Sequence, residues 1–246
     1  MLRLQGKAAL VIGGSRGIGA AIAKRLAADG ADVALTFAKS GDKAEAVVRA
    51  IRGYGHKGIA IAADNRDSAA IQRAVDEAVS AFGRLDILIN NAGIFTVATL
   101  DQATLDQFDE IFAVNVRAVF VASKAAARHL GSGGRIIIIG SILAERVPAS
   151  GLSLYAASKA ALVGLTKGMA RDLGAQGVTV NLVSPGATNT DMNPEDGPRS
   201  ARNRELTAVG RYAQPEEIAA LVTWLASNES SYLTGTVLTI DGGANA

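Results

Sequence analysis

Apolar and polar positions alternate along the chain in two rhythms. Short runs rich in Val, Ile, Leu and Ala, each bounded by glycine or polar residues, recur from one end of the sequence to the other. Runs of this kind are typical of strands that are buried on both faces, as in parallel sheets. They predict seven strands, at residues 7–13, 32–37, 58–62, 84–93 (running into a polar glycine turn), 135–140, 178–183 and 236–240.

Longer segments with helical periodicity separate these runs. They predict helices at residues 20–29, 41–52, 67–82, 101–130 (with a candidate break near Asp106), 155–173 and 215–226. Alternation of strand and helix gives a parallel sheet with helices on both faces, joined by right-handed crossovers. No linker, repeat or low-complexity tract interrupts it, so we predict the α/β class and one doubly wound domain over residues 1–246.

Composition narrows the function classes. The chain has 246 residues, a formal charge of +2 and no cysteine. The near balance of charge, without a basic block, argues against nucleic-acid binding. The lack of cysteine excludes disulfides, thiolate catalysis and cysteine-ligated metals, and we expect no metal site. No apolar run reaches membrane-spanning length and the N-terminus lacks a signal-peptide pattern, so we expect no membrane association and a cytoplasmic protein.

A glycine-rich turn lies between the first strand and the first helix. Its spacing is Gly-x-x-x-Gly-x-Gly. Glycines let the backbone turn tightly and approach a pyrophosphate, whose charge the helix N-terminus meets. A tight turn without any ligand is the alternative. The candidate cofactor-binding residues here are Gly13, Ser15, Arg16, Gly17, Ile18 and Gly19.

The end of the second strand indicates which dinucleotide would bind. An acidic residue near this point would hold the ribose 2′-hydroxyl of NAD. The chain instead has Ala38, Lys39 and Ser40, and Arg16 projects toward the same region. Two cations without a carboxylate suit a 2′-phosphate, so we predict NADP(H) over NAD(H). Solvated loop charges are the alternative, and Asp42 lies close by.

Ser141, Tyr155 and Lys159 form the candidate catalytic group. Tyr155 and Lys159 are four residues apart on a predicted helix, so they share a face, and Ser141 ends the fifth strand. A nearby ammonium favours the phenolate, and we therefore expect the pKa of Tyr155 to be lowered far enough for acid–base work. An ordinary surface pair is the alternative for Tyr155 and Lys159.

Two further features are polar where the pattern around them is not. Asn115 lies between Val114 and Val116 in a predicted helix, where it serves as a polar plug or binds a proton-conducting water. Residues 189–204 are polar and broken by Pro194, Gly197 and Pro198, which predicts a flap beside the site.

Taken together, these motifs resemble the classical short-chain dehydrogenase/reductase family over essentially the whole chain, and most of all its 3-oxoacyl-carrier-protein reductase-like members. The order and spacing of the motifs carry the resemblance. They are Gly13-x-x-x-Gly17-x-Gly19, Asp64 after strand three, Asn90-Asn91-Ala92-Gly93, Asn115, Ser141, Tyr155-x-x-x-Lys159 and Pro185-Gly186. Ile12, Ser184 and Thr188 depart from the family pattern, and Ile12 puts in doubt a hydrogen bond to the Asn90 turn.

The resemblance implies a single-domain Rossmann fold and an NADP(H)-dependent oxidoreductase acting on a small carbonyl or secondary alcohol. Ser141 would bind the substrate oxygen, Tyr155 would exchange a proton with it, and Lys159 would bind the nicotinamide ribose. Asn115 would hold a relay water, and the assembly would be a homotetramer. The remaining implied cofactor contacts are Asp64, Asn65, Asn91, Ala92, Gly93, Pro185, Gly186, Thr188 and Thr190.

The substrate itself is not indicated by the sequence. The residues expected to line its site are Phe95, Ile142, Glu145, Val147, Leu152 and the 189–204 flap. A second function from another class remains open, since a fold does not fix a function. It is a nucleotide-binding regulatory or sensor protein on a reductase fold, with little turnover.

Overall fold

A computed structural model describes residues 2–246 and contains one parallel sheet. The strand order is β3-β2-β1-β4-β5-β6-β7, and all six neighbouring pairs are parallel. The prediction of a seven-stranded, doubly wound Rossmann fold is therefore confirmed. The strands are β1 (Ala8–Ile12), β2 (Asp32–Phe37), β3 (Gly58–Ala62), β4 (Ile87–Asn90), β5 (Arg135–Ile139), β6 (Thr179–Pro185) and β7 (Val237–Ile240).

Helices cover both faces of the sheet. Within the described residues they are α1 (Gly17–Ala28), α2 (Gly41–Gly53), α3 (Ser68–Phe82), α4 (Leu105–Phe112), α5 (Ala118–Ala126), α6 (Ser153–Gly174), α7 (Ser200–Leu206) and α8 (Pro215–Ala226). One apolar core lies between the sheet and α1, α2 and α8, and a second lies between the sheet and α3, α5 and α6. Because both faces are covered, β1 and β5 are buried at every position, which explains their unbroken apolar runs.

Two predicted boundaries are wrong for identifiable reasons. Helix α1 begins at Gly17, so part of the predicted turn is helical. The long segment predicted at 101–130 begins as a helix only at Leu105, where Thr104 and Gln107 form a capping box. Its break lies at a π-helical turn, Ala113–Arg117, rather than near Asp106. A π-turn is common at functional sites, and this one contains Asn115.

The order of the strands reverses at β1 and β4, and a short backbone contact holds their carboxyl ends together. The carbonyl oxygen of Ile12 accepts hydrogen bonds from the backbone amides of Asn91 at 3.2 Å and Ala92 at 2.9 Å. The Asn91 side chain donates to the Gly13 carbonyl at 2.8 Å. The connection that Ile12 put in doubt is thus made by the backbone. Ligands of open α/β sheets bind where the strand order reverses in this way.

The opposite end of the same two strands is joined by Asp86. Its carboxylate accepts hydrogen bonds from the Arg84 side chain at 2.6 and 2.7 Å, from the Ala8 amide at 2.9 Å and from Lys7 at 3.3 Å. Burial by itself raises the pKa of Asp86, but these donors and the two positive charges outweigh it and lower the pKa below its ordinary value. Asp86 therefore fixes β1 beside β4 in its charged form.

The first prediction concerns this carboxylate. Asp86→Asn should lower the free energy of unfolding at pH 7 by about 1–3 kcal/mol, because it removes a charged acceptor that receives hydrogen bonds from the buried Ala8 amide and from two cationic side chains. A carboxyl whose pKa is depressed by folding stabilises the native state fully above its unfolded pKa, and loses that effect as the pH falls through the folded value. Urea unfolding should therefore show a difference between variant and wild type that shrinks below about pH 4.

Glu205→Gln is the matched control. Glu205 forms an ion pair with Arg202 at 3.7 Å, and both side chains are largely exposed. Such pairs contribute little to stability, so this variant should unfold like the wild type. Equal effects of the two substitutions would contradict the role given to Asp86.

Candidate active site

A cleft of about 690 Å³ opens at the carboxyl ends of the central strands. It is lined by the turns after β1, β4, β5 and β6 and by the segment that precedes α7. Two predicted site residues, Gly19 and Asn115, are not part of its wall. Those that do line it are Gly13, Ser15, Arg16, Gly17, Ile18, Lys39, Ser40, Asp64, Asn65, Asn91, Ala92, Gly93, Ser141, Tyr155, Lys159, Pro185, Gly186, Thr188 and Thr190.

The glycine turn forms one side of the cleft, and its glycines allow close backbone packing. Gly13 has a φ of 77°, which L side chains rarely adopt, and an added Cβ would lie 2.7 Å from the Cβ of Ala92. An added Cβ at Gly19 would collide with the Gly13 carbonyl oxygen. Gly19 therefore acts behind the wall, by letting the start of α1 approach β1 closely. The backbone amides at that start are then left free to meet an anion.

Positive charge gathers where β2 and the glycine turn meet. Lys39 and Ser40 line the rim there with Arg16. Arg16 lies 3.6 Å from Asp191, a carboxylate that also contacts Lys43 at 2.8 Å. Asp64 faces the same end, and hydrogen bonds from Arg66 hold the pKa of its carboxyl below the ordinary value.

The candidate catalytic side chains come from β5 and α6. Ser141 follows β5, and its hydroxyl accepts a hydrogen bond from the Leu143 amide at 3.2 Å. One helical turn separates Tyr155 and Lys159 on α6, and the Lys159 ammonium lies 5.7 Å from the centre of the Tyr155 ring. The three groups line the same stretch of wall. Tyr155 and Lys159 are thus not an exposed surface pair, because Lys159 is buried.

The expectation that the pKa of Tyr155 is lowered is wrong for the protein without a bound cofactor. Burial raises the pKa of Tyr155 to about 12, and the interaction with the Ser141 hydroxyl lowers it only in part. Burial also lowers the pKa of Lys159 to about 8, while its ammonium donates one hydrogen bond, to the Ile139 carbonyl at 2.9 Å. The desolvation of both groups outweighs their mutual effect. At neutral pH the phenol therefore keeps its proton, as a proton donor must.

Asn115 is a structural element behind the cleft, and its side chain makes three hydrogen bonds. Its side-chain oxygen accepts from the Ile94 amide at 2.9 Å, and its nitrogen donates to the Ile94 carbonyl and the Ser158 hydroxyl, both at 3.0 Å. The plug that the sequence suggested is thus present. It joins the turn after β4 to α6, beside Lys159.

Several lining residues carry chemistry that the sequence patterns did not single out. Apart from Asp191, Arg199 and Asn203, which belong to the predicted 189–204 flap, they are Arg66, Glu110 and Arg146, together with Ala244 and Asn245 near the end of the chain. Their positions follow from long-range packing, so no local motif marks them. Of the predicted substrate residues, Phe95, Ile142 and Leu152 line the cleft, whereas Glu145 and Val147 are exposed outside it.

Comparisons with known proteins agree with this geometry. A family model described as Enoyl-(Acyl carrier protein) reductase matches residues 12–245. A short-chain dehydrogenase from Burkholderia cenocepacia J2315, solved in complex with NADP, is 61% identical with a TM-score of 0.98, and the match covers 99% of this chain and 100% of that one. The chain belongs to the short-chain dehydrogenase/reductase family.

Two other similar proteins have names that do not mention a dehydrogenase or reductase. A blue fluorescent protein from a metagenomic library, solved in complex with NADPH, is 48% identical with a TM-score of 0.97, over 99% of this chain and 100% of that one. The Cyclic-di-GMP-binding biofilm dispersal mediator protein of Escherichia coli (strain K12) is 44% identical, over 98% of each chain.

Within residues 2–246 of this chain, no helix is long and apolar enough to cross a membrane, and no acid, His or Cys cluster could hold a metal ion.

The second prediction concerns the buried ammonium of this reductase-family chain. Lys159→Met should raise the free energy of unfolding at pH 7, without cofactor, by about 1–3 kcal/mol, since it removes a desolvated charge and keeps the side-chain volume. The pKa of Lys159 is about 8 in the folded state and 10.5 ordinarily, so the unfolded chain binds more protons between those values and wild-type stability rises there with pH. The advantage of the variant in urea unfolding should therefore fade toward pH 10.

Lys167→Met is the control on the same helix. Lys167 is exposed on α6, so removing its charge should leave stability nearly unchanged at every pH. A Lys159→Met protein that is destabilised equally at pH 7 and pH 10 would show that the ammonium carries no burial penalty.

Proposed function

We propose that the chain is an NADP(H)-dependent reductase that converts a carbonyl, of the 3-oxoacyl or a related ketone type, to a secondary alcohol. One observation carries the proposal: Tyr155, Ser141 and Lys159 meet in a cleft whose other end is a glycine cradle with cations at its rim. At neutral pH the Tyr155 phenol holds a proton that it can give to a carbonyl oxygen, as the step of reduction requires.

The residues present fit a dinucleotide with a 2′-phosphate. The cradle suits a pyrophosphate because Gly13 and Gly19 let the turn pack tightly against Ala92 and the start of α1 approach β1, and the N-terminus of α1 supplies amides for its charge. Arg16, Lys39 and Ser40 would hold the 2′-phosphate. Relatives solved with NADP and NADPH support this choice. When bound, the nicotinamide would supply the hydride.

The remaining cofactor contacts follow the cleft from one end to the other. We propose that Asp64 and Asn65 contact the adenine, and that Asn91, Ala92 and Gly93 form the central wall. At the nicotinamide end the contacts would come from Tyr155, Lys159, Pro185, Gly186, Thr188 and Thr190. Thr190 packs close to Gly17, where an added Cβ would lie 3.2 Å from its methyl group, which supports a site enclosed from both sides.

The chemical step needs three side-chain roles. The Ser141 hydroxyl donates a hydrogen bond to the substrate oxygen and orients it. The Tyr155 hydroxyl transfers its proton to that oxygen as negative charge develops there. Lys159 stabilises the resulting phenolate and binds the nicotinamide ribose. A buried ammonium without a carboxylate partner suits this task, because its field is not cancelled.

We propose that Asn115 completes the proton path by holding a water near Lys159. Its position supports this, since an added Cβ at Gly93 would lie 3.3 Å from the Asn115 side-chain oxygen and 3.6 Å from the Lys159 ammonium. The two groups therefore converge on one glycine. A solvent isotope effect on turnover that disappears in Asn115→Leu would test the relay.

The assembly and its surroundings are also proposals. We propose a cytoplasmic homotetramer in which α4, α5 and α6 pack between subunits, with residues 189–204 as the substrate flap. Leu105, Phe108 and Phe120 support this interface, because they expose large apolar side chains on α4 and α5. Sedimentation analysis would give the subunit number. The proposal of a flap is supported by the residues of this segment that line the cleft, which are Thr190, Asp191, Met192, Asn193, Arg199 and Asn203.

The third prediction tests Tyr155. Tyr155→Phe should reduce turnover of a ketone by about 100-fold to 10,000-fold, because the proton donor is lost while the ring remains. The dissociation constant of NADPH, measured by its fluorescence, should change little. Tyr232→Phe is the control, since Tyr232 is fully exposed. Near-normal turnover by Tyr155→Phe would end the assignment.

The fourth prediction tests the choice of dinucleotide. Lys39→Ser should weaken NADPH binding by about 10-fold and leave NADH binding nearly unchanged, since only the first carries the 2′-phosphate that the ammonium would contact. Lys24→Ser, at an exposed position of α1, should alter neither. Equal losses for both dinucleotides would place Lys39 outside the phosphate site.

One comparison favours a second candidate function. The Escherichia coli relative is named for cyclic-di-GMP binding, so a regulatory nucleotide-binding role on this fold is a specific alternative. The cations at the rim, Arg16, Lys39 and Lys43, would suit phosphodiester groups. Calorimetric titration with cyclic-di-GMP, beside a ketone panel followed by NADPH absorbance, separates the two. Tight binding without NADPH oxidation would favour the sensor.

A further inference from the structure

The substrate end of the cleft is largely apolar, with a few neutral polar side chains such as Asn203 and Asn245, and its charged groups are two guanidiniums. Its wall there comprises Ile94, Phe95, Ile142, Leu143, Leu152 and Leu206, together with Arg146 and Arg199. An apolar pocket with a few convergent polar groups is the usual form of a small-molecule site, in which the polar groups fix orientation. The charge of these two arginines therefore bears on what the site accepts.

Arg199 is connected to the catalytic tyrosine through one aromatic ring. The centre of its guanidinium lies 4.7 Å from the ring centre of Phe95. The Phe95 ring in turn meets the Tyr155 ring edge to face, with 4.8 Å between their centres. Stacking on Phe95 holds one face of the guanidinium, and its N–H groups point outward in the plane. The Phe95 ring thus lies between the Arg199 guanidinium and the Tyr155 ring.

Neither guanidinium is neutralised by a carboxylate. Arg199 makes one long hydrogen bond, to the Met192 carbonyl at 3.4 Å, and Arg146 donates to the Ala244 carbonyl at 2.6 Å. Within residues 2–246 neither of them forms an ion pair within 4.0 Å. Arg202, three residues beyond Arg199, does pair, with Glu205. Both guanidinium groups therefore bring uncompensated positive charge to the cleft wall.

The acidic groups of the cleft lie elsewhere and already have partners. Asp64 and Glu110 contact Arg66, at 2.7 and 3.4 Å. Asp191 contacts Lys43 and Arg16 at the glycine turn. Glu195, close to Arg199 in sequence, directs its carboxylate to Gln214 at 3.3 Å. No lining carboxylate remains for the substrate end, so that end is electropositive.

We propose that the substrate is a ketone that also bears a carboxylate, which Arg199 binds while the carbonyl faces Tyr155. Arg146 adds to the field that attracts the anion. A guanidinium matches a carboxylate with two parallel hydrogen bonds, and the exposed guanidinium of Arg199 has N–H groups available for them. The apolar residues between the two ends accept the carbon skeleton. This inference rests on the proposed reductase function and names its substrate class.

The test compares 4-acetylbenzoate with its methyl ester, two aryl ketones of nearly equal shape. The wild-type enzyme should reduce the acid with a higher kcat/KM. Arg199→Met, which keeps an apolar chain over Phe95, should lower kcat/KM for the acid by about 10-fold to 100-fold, mainly through KM, and leave the ester within about 2-fold. Arg202→Met is the matched control, because that arginine does not line the cleft and should change neither substrate.

Other outcomes overturn the inference. Preference of the wild type for the ester would do so, as would equal losses for acid and ester in Arg199→Met, which would make the arginine a packing element over Phe95. A higher kcat/KM for 4-acetylphenyl phosphate than for the acid would assign the site to a phosphate instead of a carboxylate.

A binding measurement separates this inference from the proposed function. Calorimetry of benzoate with the NADP⁺ complex should show binding that weakens about 10-fold in Arg199→Met and not in Arg202→Met. If neither ketone is reduced but this binding is seen, the reductase function fails and the anion site stands. If ketones are reduced and benzoate does not bind, the anion site fails alone.

Discussion

The desolvated ammonium of Lys159 is the constraint on which the site depends. It is 4% exposed, and its one hydrogen bond in the described chain goes to a neutral backbone carbonyl, that of Ile139. Removing such a charge from water costs free energy that the rest of the domain must offset. The fold does so with two apolar cores, one on each face of the sheet, and with a helix of 22 residues that carries the lysine into place.

The sheet places everything else relative to that charge. Parallel strands deliver their carboxyl ends to one edge, so Asn90, Ser141 and Pro185 leave the core at neighbouring points. The turns after these strands form one wall of the cleft although their sequences differ, because the strands themselves bring them together. At the far edge Asp86 joins β1 to β4, while at the near edge the Ile12 carbonyl does the same for the glycine turn. Rigidity at both ends of two strands keeps the cleft open between them.

The periodic segments revealed most of the fold, because burial on two faces leaves a strong signal in strands such as β1 and β5. The motifs also indicated much of the cleft wall, because most of the glycine and polar residues in them stand next to a strand end. Local sequence could not show the start of α1 at Gly17 or the π-turn around Asn115, since both depend on contacts with distant segments. The pKa of Tyr155 was misjudged for a related reason: spacing shows proximity to Lys159 but not the loss of water around both. Arg199 was included in the predicted 189–204 flap, but its contact with Phe95 was not foreseen, because it joins residues far apart in the chain.

Asp191 gives the rim of the cleft an additional property. Its carboxylate joins the segment before α7 to Arg16 in the glycine turn and to Lys43 on α2, and all three side chains are more than half exposed. Charges in contact with solvent are screened over a Debye length of about 10 Å at 0.1 M ionic strength, and over about 3 Å at 1 M. High salt therefore weakens the ion pairs of Asp191 with Arg16 and Lys43 more than it weakens the buried apolar core. We therefore expect the hold of the segment before α7 on the glycine turn and α2 to weaken as the ionic strength of the medium rises.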